Sequence, residues 1–269
     1  MLHATFYVIL HSLMETPTVT LTTDWGGQGF FAGMVKGALM RAIEGVRVVD
    51  IAHELKVYNV MTASFVVRQA CTGFPAGTVH LIDVASREPY VALQAFGQYY
   101  ICSDNGLPAL ALGDNVRDVR RLPTQPGGIY NFAAYNLFTP IASRLLHGES
   151  LTSIGEPYTL QSSLWTGYVQ QGDYYRVYVH YVDSYGNAYL GMSYDEFEQL
   201  RAGRPFVMQV RDMEVSELTT TYFRGNAADL RLQLTVSATG HLELALRERS
   251  LAQLSGLKPN DSVLLRFKG

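Results

Sequence analysis

Asp24 lies where a short β-rich segment meets a cluster of glycines, and its carboxylate could bind a sugar diol. The segment Val19–Thr23 is predicted to be a buried strand, and apolar residues at helical spacing after the glycines predict a helix. In an open α/β sheet, such a strand-to-helix junction is where ligands bind. A carboxylate at that point can accept hydrogen bonds from the two vicinal hydroxyls of a ribose. The alternative interpretation is that Asp24 caps the following helix through its side chain.

The same glycines are compatible with a different ligand. Gly27-x-Gly29-x-x-Ala32 fits the loose fingerprint of dinucleotide-binding proteins, and Asp50 ends the next predicted strand about 20 residues later, as a ribose-binding acid would. A Rossmann-type oxidoreductase that uses a nicotinamide or flavin is therefore one hypothesis. Against it, residues 24–26 separate the strand from the fingerprint glycines, whereas a dinucleotide turn begins directly after its strand.

Composition argues against several classes of protein. The chain has 269 residues, which favours two domains, and a formal charge of -3, so it has no basic field to attract nucleic acid. Cys71 and Cys102 are too few for a disulfide framework, and no cluster of His, Cys and carboxylates has the spacing of metal ligands. The apolar start of the chain lacks a basic region and is too short to span a bilayer. We therefore expect a cytoplasmic protein without nucleic-acid partners, membrane partners or a bound metal.

Strands alternate with helices in the first half of the chain. This order predicts an α/β domain at residues 19–155, with a mostly parallel sheet covered on both faces, after an N-terminal extension at residues 1–18. Beyond the first strand and helix, the predicted elements are a strand at 46–51, a helix at 59–72, a strand at 79–84, a hairpin of 90–93 with 98–102, and a helix at 140–146.

Period-two alternation of apolar residues replaces the helical spacing after about residue 155. Residues 174–182 show it most clearly, and a helix is predicted only at 194–201. The pattern predicts a C-terminal antiparallel, β-barrel-like domain at residues 156–269. Its further strands are predicted at 205–210, 230–236, 241–246 and 262–267, with turns at Gly225-Asn226 and Thr239-Gly240.

Six short motifs occur in one order across both predicted domains. Together they resemble the S-adenosylmethionine hydroxide adenosyltransferases (SAM hydrolases), which are sisters of the fluorinases and chlorinases. Ala202-Gly-Arg-Pro-Phe206, after the C-terminal helix, resembles the Bacteroidetes-like variety of this family. The motifs are Thr22-Thr-Asp-Trp25, Val48-Val-Asp-Ile-Ala-His53, Phe74-Pro-Ala-Gly-Thr-Val-His80, Ser103-Asp-Asn-Gly106, Asp183-Ser-Tyr-Gly-Asn187 and Gly240-His-Leu-Glu243.

The resemblance implies a role for five side chains in binding S-adenosylmethionine. Asp24 resembles the acid that binds the 2′ and 3′ hydroxyls, and Phe132 resembles an aromatic residue that lines the pocket around C5′. Asp183 resembles a residue that faces the amino group of the methionine portion. Asn187 resembles the residue that reads the adenine edge, and Tyr189 an aromatic residue that packs on the base. The alternatives are a plain turn residue for Asn187 and core packing for Phe132 and Tyr189.

The sequence departs from the hydrolase branch where that branch orients or deprotonates the attacking water. The branch has an Asp and an Arg in a loop after the third strand, for which Asp83 and Arg87 have suitable chemistry; the alternatives are a buried salt bridge or a pair at the loop end. The branch also has a His in a Phe-His-Gly-Arg-Asp-like motif, and here Ala133 stands at that position. A missing general base typically lowers the rate by about 10²–10⁴. Ala134 offers no hydroxyl for a halide, which argues against halogenation.

The leading hypothesis is hydrolysis of S-adenosylmethionine to adenosine and methionine, with reduced activity because the His is missing. Water or hydroxide would attack C5′ of the ribose, and S-adenosylmethionine would be the substrate, with no cofactor. The resemblance also implies a homotrimer with its active sites between subunits. The alternatives are a non-catalytic protein that binds adenosine or S-adenosylmethionine, and the dinucleotide oxidoreductase.

Overall fold

The chain divides into two compact units, Met1–Ser163 and Leu164–Gly269. A computed structural model describes residues 16–162, 166–222 and 231–268. Most of the predicted extension at residues 1–18 lies outside these ranges, as does the predicted turn at Gly225-Asn226. No helix in the described ranges is both long enough and apolar enough to cross a membrane.

The first unit is built on a mixed sheet with helices on both faces. Its strand order is β2-β1-β3-β5-β4-β6-β7. The strands are β1 (Thr18–Thr23), β2 (Arg47–Ala52), β3 (Val79–Asp83), β4 (Tyr90–Ala95), β5 (Gln98–Ser103), β6 (Val116–Arg121) and β7 (Glu156–Pro157). The helices are α1 (Phe31–Ala42), α2 (Val60–Cys71), α3 (Leu107–Leu112), α4 (Thr139–Leu146) and α5 (Leu151–Ile154), with a 3₁₀ turn at Gly113–Asn115 and a π-helical turn at Ala134–Phe138.

Parallel pairing is confined to one half of this sheet. β1 pairs in parallel with β2 and β3, and β3 pairs in parallel with β5. β4, β6 and β7 are added by antiparallel pairing. The expected parallel strands are therefore present, but the sheet as a whole is mixed, and β7 continues it past residue 155.

Alternation along the strands divides the core of the first unit between the two faces of the sheet. Val19 and Leu21 of β1 pack with helices α1 and α4 on one face, whereas Ile82 of β3 and Val91 of β4 pack with α2 and α3 on the other. The expectation that both faces are covered is confirmed. All the parallel strands end at one edge, and the predicted acids Asp24 and Asp83 lie at that edge.

The described strands of the second unit form a curled sheet in which all pairings are antiparallel except that of β13 with β14. The strand order is β12-β11-β16-β9-β10-β15-β14-β13, with β8 also paired to β9. The strands are β8 (Tyr168–Gln171), β9 (Tyr174–Val182), β10 (Ala188–Ser193), β11 (Phe206–Val210), β12 (Met213–Val215), β13 (Leu218–Thr219), β14 (Leu232–Val236), β15 (His241–Leu246) and β16 (Ser262–Phe267). The long strand β9 causes the curl, because residues 174–178 pair with β16 and residues 179–182 pair with β10.

The described residues of the second unit contain two helices, α6 (Tyr194–Arg201) and α7 (Leu251–Ser255). The expectation of a single helix here was wrong. α7 has five residues, too few to show helical periodicity in sequence, and it begins where the Ser250 side chain accepts a hydrogen bond from the Gln253 N–H at 3.1 Å.

Candidate active site

Asp24 joins the ends of three neighbouring strands. Its Oδ2 accepts a hydrogen bond from the N–H of Ala85 at 3.1 Å and a longer one from the N–H of Tyr58 at 3.4 Å. Those two donors follow β3 and β2, which flank β1 in the sheet. No described residue donates a hydrogen bond to Oδ1, and the side chain is partly exposed. Asp24 therefore presents one carboxylate oxygen at the edge where the parallel strands end.

The helix-cap alternative for Asp24 was wrong. α1 begins at Phe31, and Phe30 is its N-cap residue, with no side-chain hydrogen bond. The intervening loop is tied elsewhere: the N–H of Gly26 donates to the carbonyl of His53 at 2.7 Å. Gly26 has φ of 85°, a left-handed conformation that glycine adopts without steric cost.

Asp50, the acid of the dinucleotide alternative, is already bound within its own unit. Its carboxylate pairs with Lys36 of α1 and with Nε2 of His53, the latter at 3.0 Å. The glycine cluster is also separated from α1, which does not begin until residue 31. Neither the loop nor the acid has the arrangement that a dinucleotide site requires.

Trp25 connects the loop after β1 with Phe132, which is far away in the sequence. The indole ring stacks on His53 with a centroid distance of 6.0 Å and contacts the edge of Phe132 at 5.1 Å. Phe132 also contacts Phe31 at 5.1 Å and stacks on Tyr135 at 6.2 Å. The predicted site residue Phe132 is thus brought to the same cluster as the neighbour of Asp24.

Asp83 is the most deeply buried of the predicted site residues, with 4% of its surface exposed. It is the register partner of Thr23 in the β1–β3 pair, so it lies next to Asp24 at the sheet edge. Its Oδ2 accepts the indole N–H of Trp25 at 2.9 Å, whereas Oδ1 has no hydrogen-bond partner in the described ranges. Burial raises the pKa of Asp83, and the negative charge of Asp24 raises it further.

Arg87 does not meet Asp83. Its side chain is exposed, and its backbone N–H donates to Oγ of Ser103 at 2.9 Å. The two residues form no ion pair, so the buried salt bridge offered as one alternative was wrong. Ala133, where the hydrolase branch has its His, is completely buried, directly before the π-helical turn.

Two residues near Asp24 were not singled out from the sequence. Nδ1 of His53 lies 2.8 Å from Oγ1 of Thr23, and its Nε2 lies 3.0 Å from Oδ1 of Asp50 without a hydrogen-bond geometry. Tyr58 is 82% exposed and has φ of 63°, an unusual conformation for an aromatic residue. The sequence indicated His53 only as the last residue of a motif, and no sequence pattern indicated Tyr58.

The three predicted residues of the second unit form one connected set at the β9–β10 turn. Asp183 accepts the backbone N–H of Asn187 at 2.8 Å through Oδ1 and the Asn187 side-chain amide at 3.3 Å through Oδ2. The Tyr189 hydroxyl lies 3.5 Å from the same Oδ2. Gly186 is required in this turn because its φ is 85° and a Cβ atom there would lie 2.0 Å from Oγ of Ser250.

Glu243 joins this set, although the sequence showed it only as part of a motif. It lies opposite Tyr189 in the β10–β15 register and is 1% exposed. Its Oε1 accepts the hydroxyl of Tyr222 at 2.5 Å, and its Oε2 has no hydrogen-bond partner among the described residues. Burial raises the pKa of Glu243, and the charge of Asp183 contributes to the same effect. In the sequence, Glu243 could have been recognised as an acid that lies between leucines in a predicted strand.

Two solved structures share the fold of this chain. A protein from Thermotoga maritima matches with a TM-score of 0.80 and 22% identity, covering 92% of this chain and 99% of that one. A protein from Thermus thermophilus matches with a TM-score of 0.72 and 24% identity, covering 94% of this chain and 100% of that one. Both are described as conserved proteins without an assigned activity, and at this identity they show the fold alone.

Family models identify the chain more closely. Residues 19–155 match the N-terminal domain of SAM hydroxide adenosyltransferase, and residues 177–264 match its C-terminal domain. The chain belongs to the SAM hydroxide adenosyltransferase family, which confirms the resemblance found in its motifs.

Two curated relatives are named "(R)-S-adenosyl-L-methionine hydrolase". The protein of Salinispora tropica is 30% identical over 265 residues, which cover 93% of this chain and 98% of the relative. The protein of Salinispora arenicola is 27% identical over 268 residues, with the same coverage of both chains.

Proposed function

We propose that this protein is an enzyme that hydrolyses S-adenosylmethionine to adenosine and methionine. Family membership and the names of the two full-length relatives support the reaction. The observation that carries the proposal is a pair of carboxylates at the tips of β1 and β3, each with one oxygen that receives no hydrogen bond from the described residues. Asp24 can use its oxygen to hold a ribose diol, and Asp83 can use its own to accept a proton from water.

The proposed step needs a positioned nucleophile and no general acid. Water donates a proton to Oδ1 of Asp83 while its oxygen bonds to C5′, and the C5′–S bond breaks with its electron pair going to sulfur. The leaving group is methionine, a neutral thioether formed from a sulfonium, so it departs without protonation. The proton later leaves Asp83 to solvent. Position and exclusion of bulk water are then the main contributions of the protein.

Asp83 is proposed as the proton acceptor because the histidines near the site are unsuited to it. Ala133 replaces the histidine of the hydrolase branch, and the His53 ring faces groups of the protein, with Nδ1 on Thr23 and Nε2 3.0 Å from the Asp50 carboxylate. A buried carboxylate with a raised pKa is a stronger base than an exposed one. A role for Arg87 stays a prediction, since its side chain would have to turn inward when the ligand binds.

The other predicted residues receive proposed binding roles. Phe132 would line the pocket around C5′, and Asp183 would face the amino group of the methionine portion. Asn187 would read the adenine edge, and Tyr189 would pack on the base. We propose that the complete site forms between copies of the chain in a homotrimer. We also propose a cytoplasmic location, which the buried free thiols of Cys71 and Cys102 fit.

The names of the relatives specify the (R) epimer at sulfur, and we propose the same preference here. The test incubates the purified protein separately with the (R) and (S) epimers in water labelled with heavy oxygen and follows adenosine and methionine by chromatography and mass spectrometry. We expect faster turnover of the (R) epimer, with the label in the 5′ hydroxyl of adenosine. Tight binding of both epimers without any adenosine would instead establish a non-catalytic binding protein.

A further inference from the structure

The indole of Trp25 is a hydrogen-bond donor to the carboxyl of Asp83, and its geometry is fixed by its surroundings. The indole N–H of Trp25 donates to Oδ2 at 2.9 Å, and this bond spans two strand ends. Asp83 is almost fully buried, so this hydrogen bond is shielded from bulk water. The indole nitrogen can only donate a hydrogen bond. Because it donates to Oδ2, Oδ1 of the same carboxyl can accept a hydrogen bond from another group.

The Trp25 ring is held by its neighbours on more than one side. His53 stacks on it with an interplanar angle of 17°, and the edge of Phe132 meets it at 68°. The next residue, Gly26, is tied by its N–H to the carbonyl of His53. A ring that is fixed in this way presents its N–H in one direction, so no reorganisation is needed before the carboxyl can use it.

We propose that Trp25 is a positioning residue for hydrolysis: its indole N–H holds Oδ2 of Asp83 so that Oδ1 accepts the hydrogen bond of the attacking water. This inference rests on the proposed function, because it assigns the second oxygen of Asp83 to the nucleophile. It also gives the buried carboxyl a fixed orientation at a site where the histidine of the hydrolase branch is missing.

The contact has a consequence for the protonation of Asp83. Burial raises the pKa of this carboxyl and the Asp24 charge adds to the increase, whereas the Ser86 side chain and the Trp25 N–H oppose it by stabilising the ionised form. The other titratable groups close by are His53, which stacks on Trp25, Tyr90 at the start of β4, and Arg87, whose side chain is exposed. Removal of the N–H therefore raises the pKa of Asp83 further, and activity should be lost at a higher pH as the solution is acidified.

Trp25→Phe is the kinetic test, because it keeps an aromatic ring and removes only the donor and the second ring. A hydrogen bond to a charged group stabilises it enough that we expect kcat to fall by about 10- to 100-fold. KM should change much less, and the acidic limb of the kcat profile should move to higher pH. Phe31→Leu is the control, because it disturbs the same aromatic cluster without removing a hydrogen bond. An unchanged kcat profile in Trp25→Phe would overturn the inference.

Fluorescence provides a test that does not depend on turnover. The sequence has two tryptophans, and Trp165→Phe leaves Trp25 as the only one; residue 165 lies outside the described ranges. The emission of Trp25 should then follow the titration of its hydrogen-bonded neighbour, in a transition that disappears in Asp83→Asn but persists in His53→Gln. A transition that survives Asp83→Asn would show that the indole does not sense Asp83. If the Asp83-dependent transition is present but no adenosine forms in the unmodified protein, the contact stands and the proposed function fails.

Discussion

At the scale of single residues, each of the two units contains carboxylates whose oxygens are only partly used by the described residues. Asp24 has two backbone donors on one oxygen, Asp83 has the Trp25 indole on one oxygen, and Glu243 has the Tyr222 hydroxyl on one oxygen. Buried polar atoms are usually hydrogen-bonded, so the unpaired oxygens of Asp83 and Glu243 are informative. Oxygens of this kind are where a ligand can contribute hydrogen bonds that the protein does not make itself.

Asp24→Asn tests the proposed contact with the ribose. Asn keeps the shape of the side chain and an oxygen that can accept the backbone N–H groups, but it loses the charge that strengthens hydrogen bonds from a diol. We expect adenosine to bind about 10- to 100-fold more weakly, measured by isothermal titration calorimetry. Asp114→Asn, at an exposed acid of the same unit, is the matched control and should bind adenosine normally. Unchanged affinity in Asp24→Asn would remove the diol assignment.

Glu243→Gln tests the protonation of the buried glutamate. Because burial raises the pKa of Glu243, the unfolded chain releases this proton at a lower pH than the folded chain. Stability therefore decreases as the pH rises from the ordinary glutamate range to the folded pKa. Gln does not titrate, so the stability of the variant relative to the parent should be greater at about pH 8 than at about pH 4. Denaturant unfolding at the two pH values measures the difference, and a gain that is the same at both would contradict the expectation.

At the scale of elements, β1, β3 and β5 are linked by a buried polar network well away from their carboxyl ends. Nδ1 of His80 lies 2.7 Å from Oγ1 of Thr20, and its Nε2 lies 3.3 Å from Oε1 of Gln98. The Tyr100 hydroxyl donates to the same Gln98 oxygen at 2.6 Å. Burial lowers the pKa of His80 to about 4, so the ring is neutral in the fold. This network accounts for His80 without a catalytic role.

His80→Gln should weaken the dependence of stability on acid. The unfolded chain takes up a proton at His80 near pH 6.5, whereas the folded chain resists it until about pH 4. The stability from this residue is therefore complete above pH 6.5 and is lost as the pH falls, by roughly 2 kcal/mol at pH 5. Urea unfolding at pH 7.5 and pH 5 should show this loss in the parent and a smaller one in His80→Gln. His147→Gln, at an exposed histidine, is the control that should keep the parent's response.

At the scale of the whole molecule, several large apolar side chains around the Asp24 loop are exposed. Phe30 is 67% exposed and Tyr58 is 82% exposed, with Phe31 and Met34 partly exposed on α1. Exposed apolar groups of this size, close together and next to a proposed site, are typical of a surface that another protein covers. They support the proposed homotrimer.

Phe30→Asp tests the assembly. A charge in the covered surface should convert the trimer to monomers in light scattering coupled to size exclusion, and hydrolysis should fall with it because the proposed site forms between copies. Leu254→Asp, at an exposed leucine of the second unit, is the matched control and should leave the oligomer intact. A parent protein that is monomeric and fully active would rule out the intersubunit site.

The sequence predicted most elements of the first unit because their signals are local. β1, β2, β3 and the β4–β5 hairpin all form close to the predicted ranges, as do α1, α2 and α4. The missed elements have weak local signals. α3 has six residues with a proline near its start, and β6 contains three arginines. β7 has two residues and exists only because β6 is there to pair with it.

The sequence by itself determined the family, the alternation of strands and helices, and the acid at the tip of β1. Apolar residues at spacings of two, three or four encode the strands and helices, and short runs of consecutive residues carry the family resemblance. Both are properties of residues that are close together in the chain. Only the tertiary structure decided that Trp25, Asp83 and Phe132 meet, that Asp24 does not cap α1, and that Arg87 lies apart from Asp83. These contacts depend on the parallel register that places Thr23 beside Asp83 and on a ring packed from a distant segment. Local spacing carries no information about such pairings, because they arise from packing between segments that are distant in the chain.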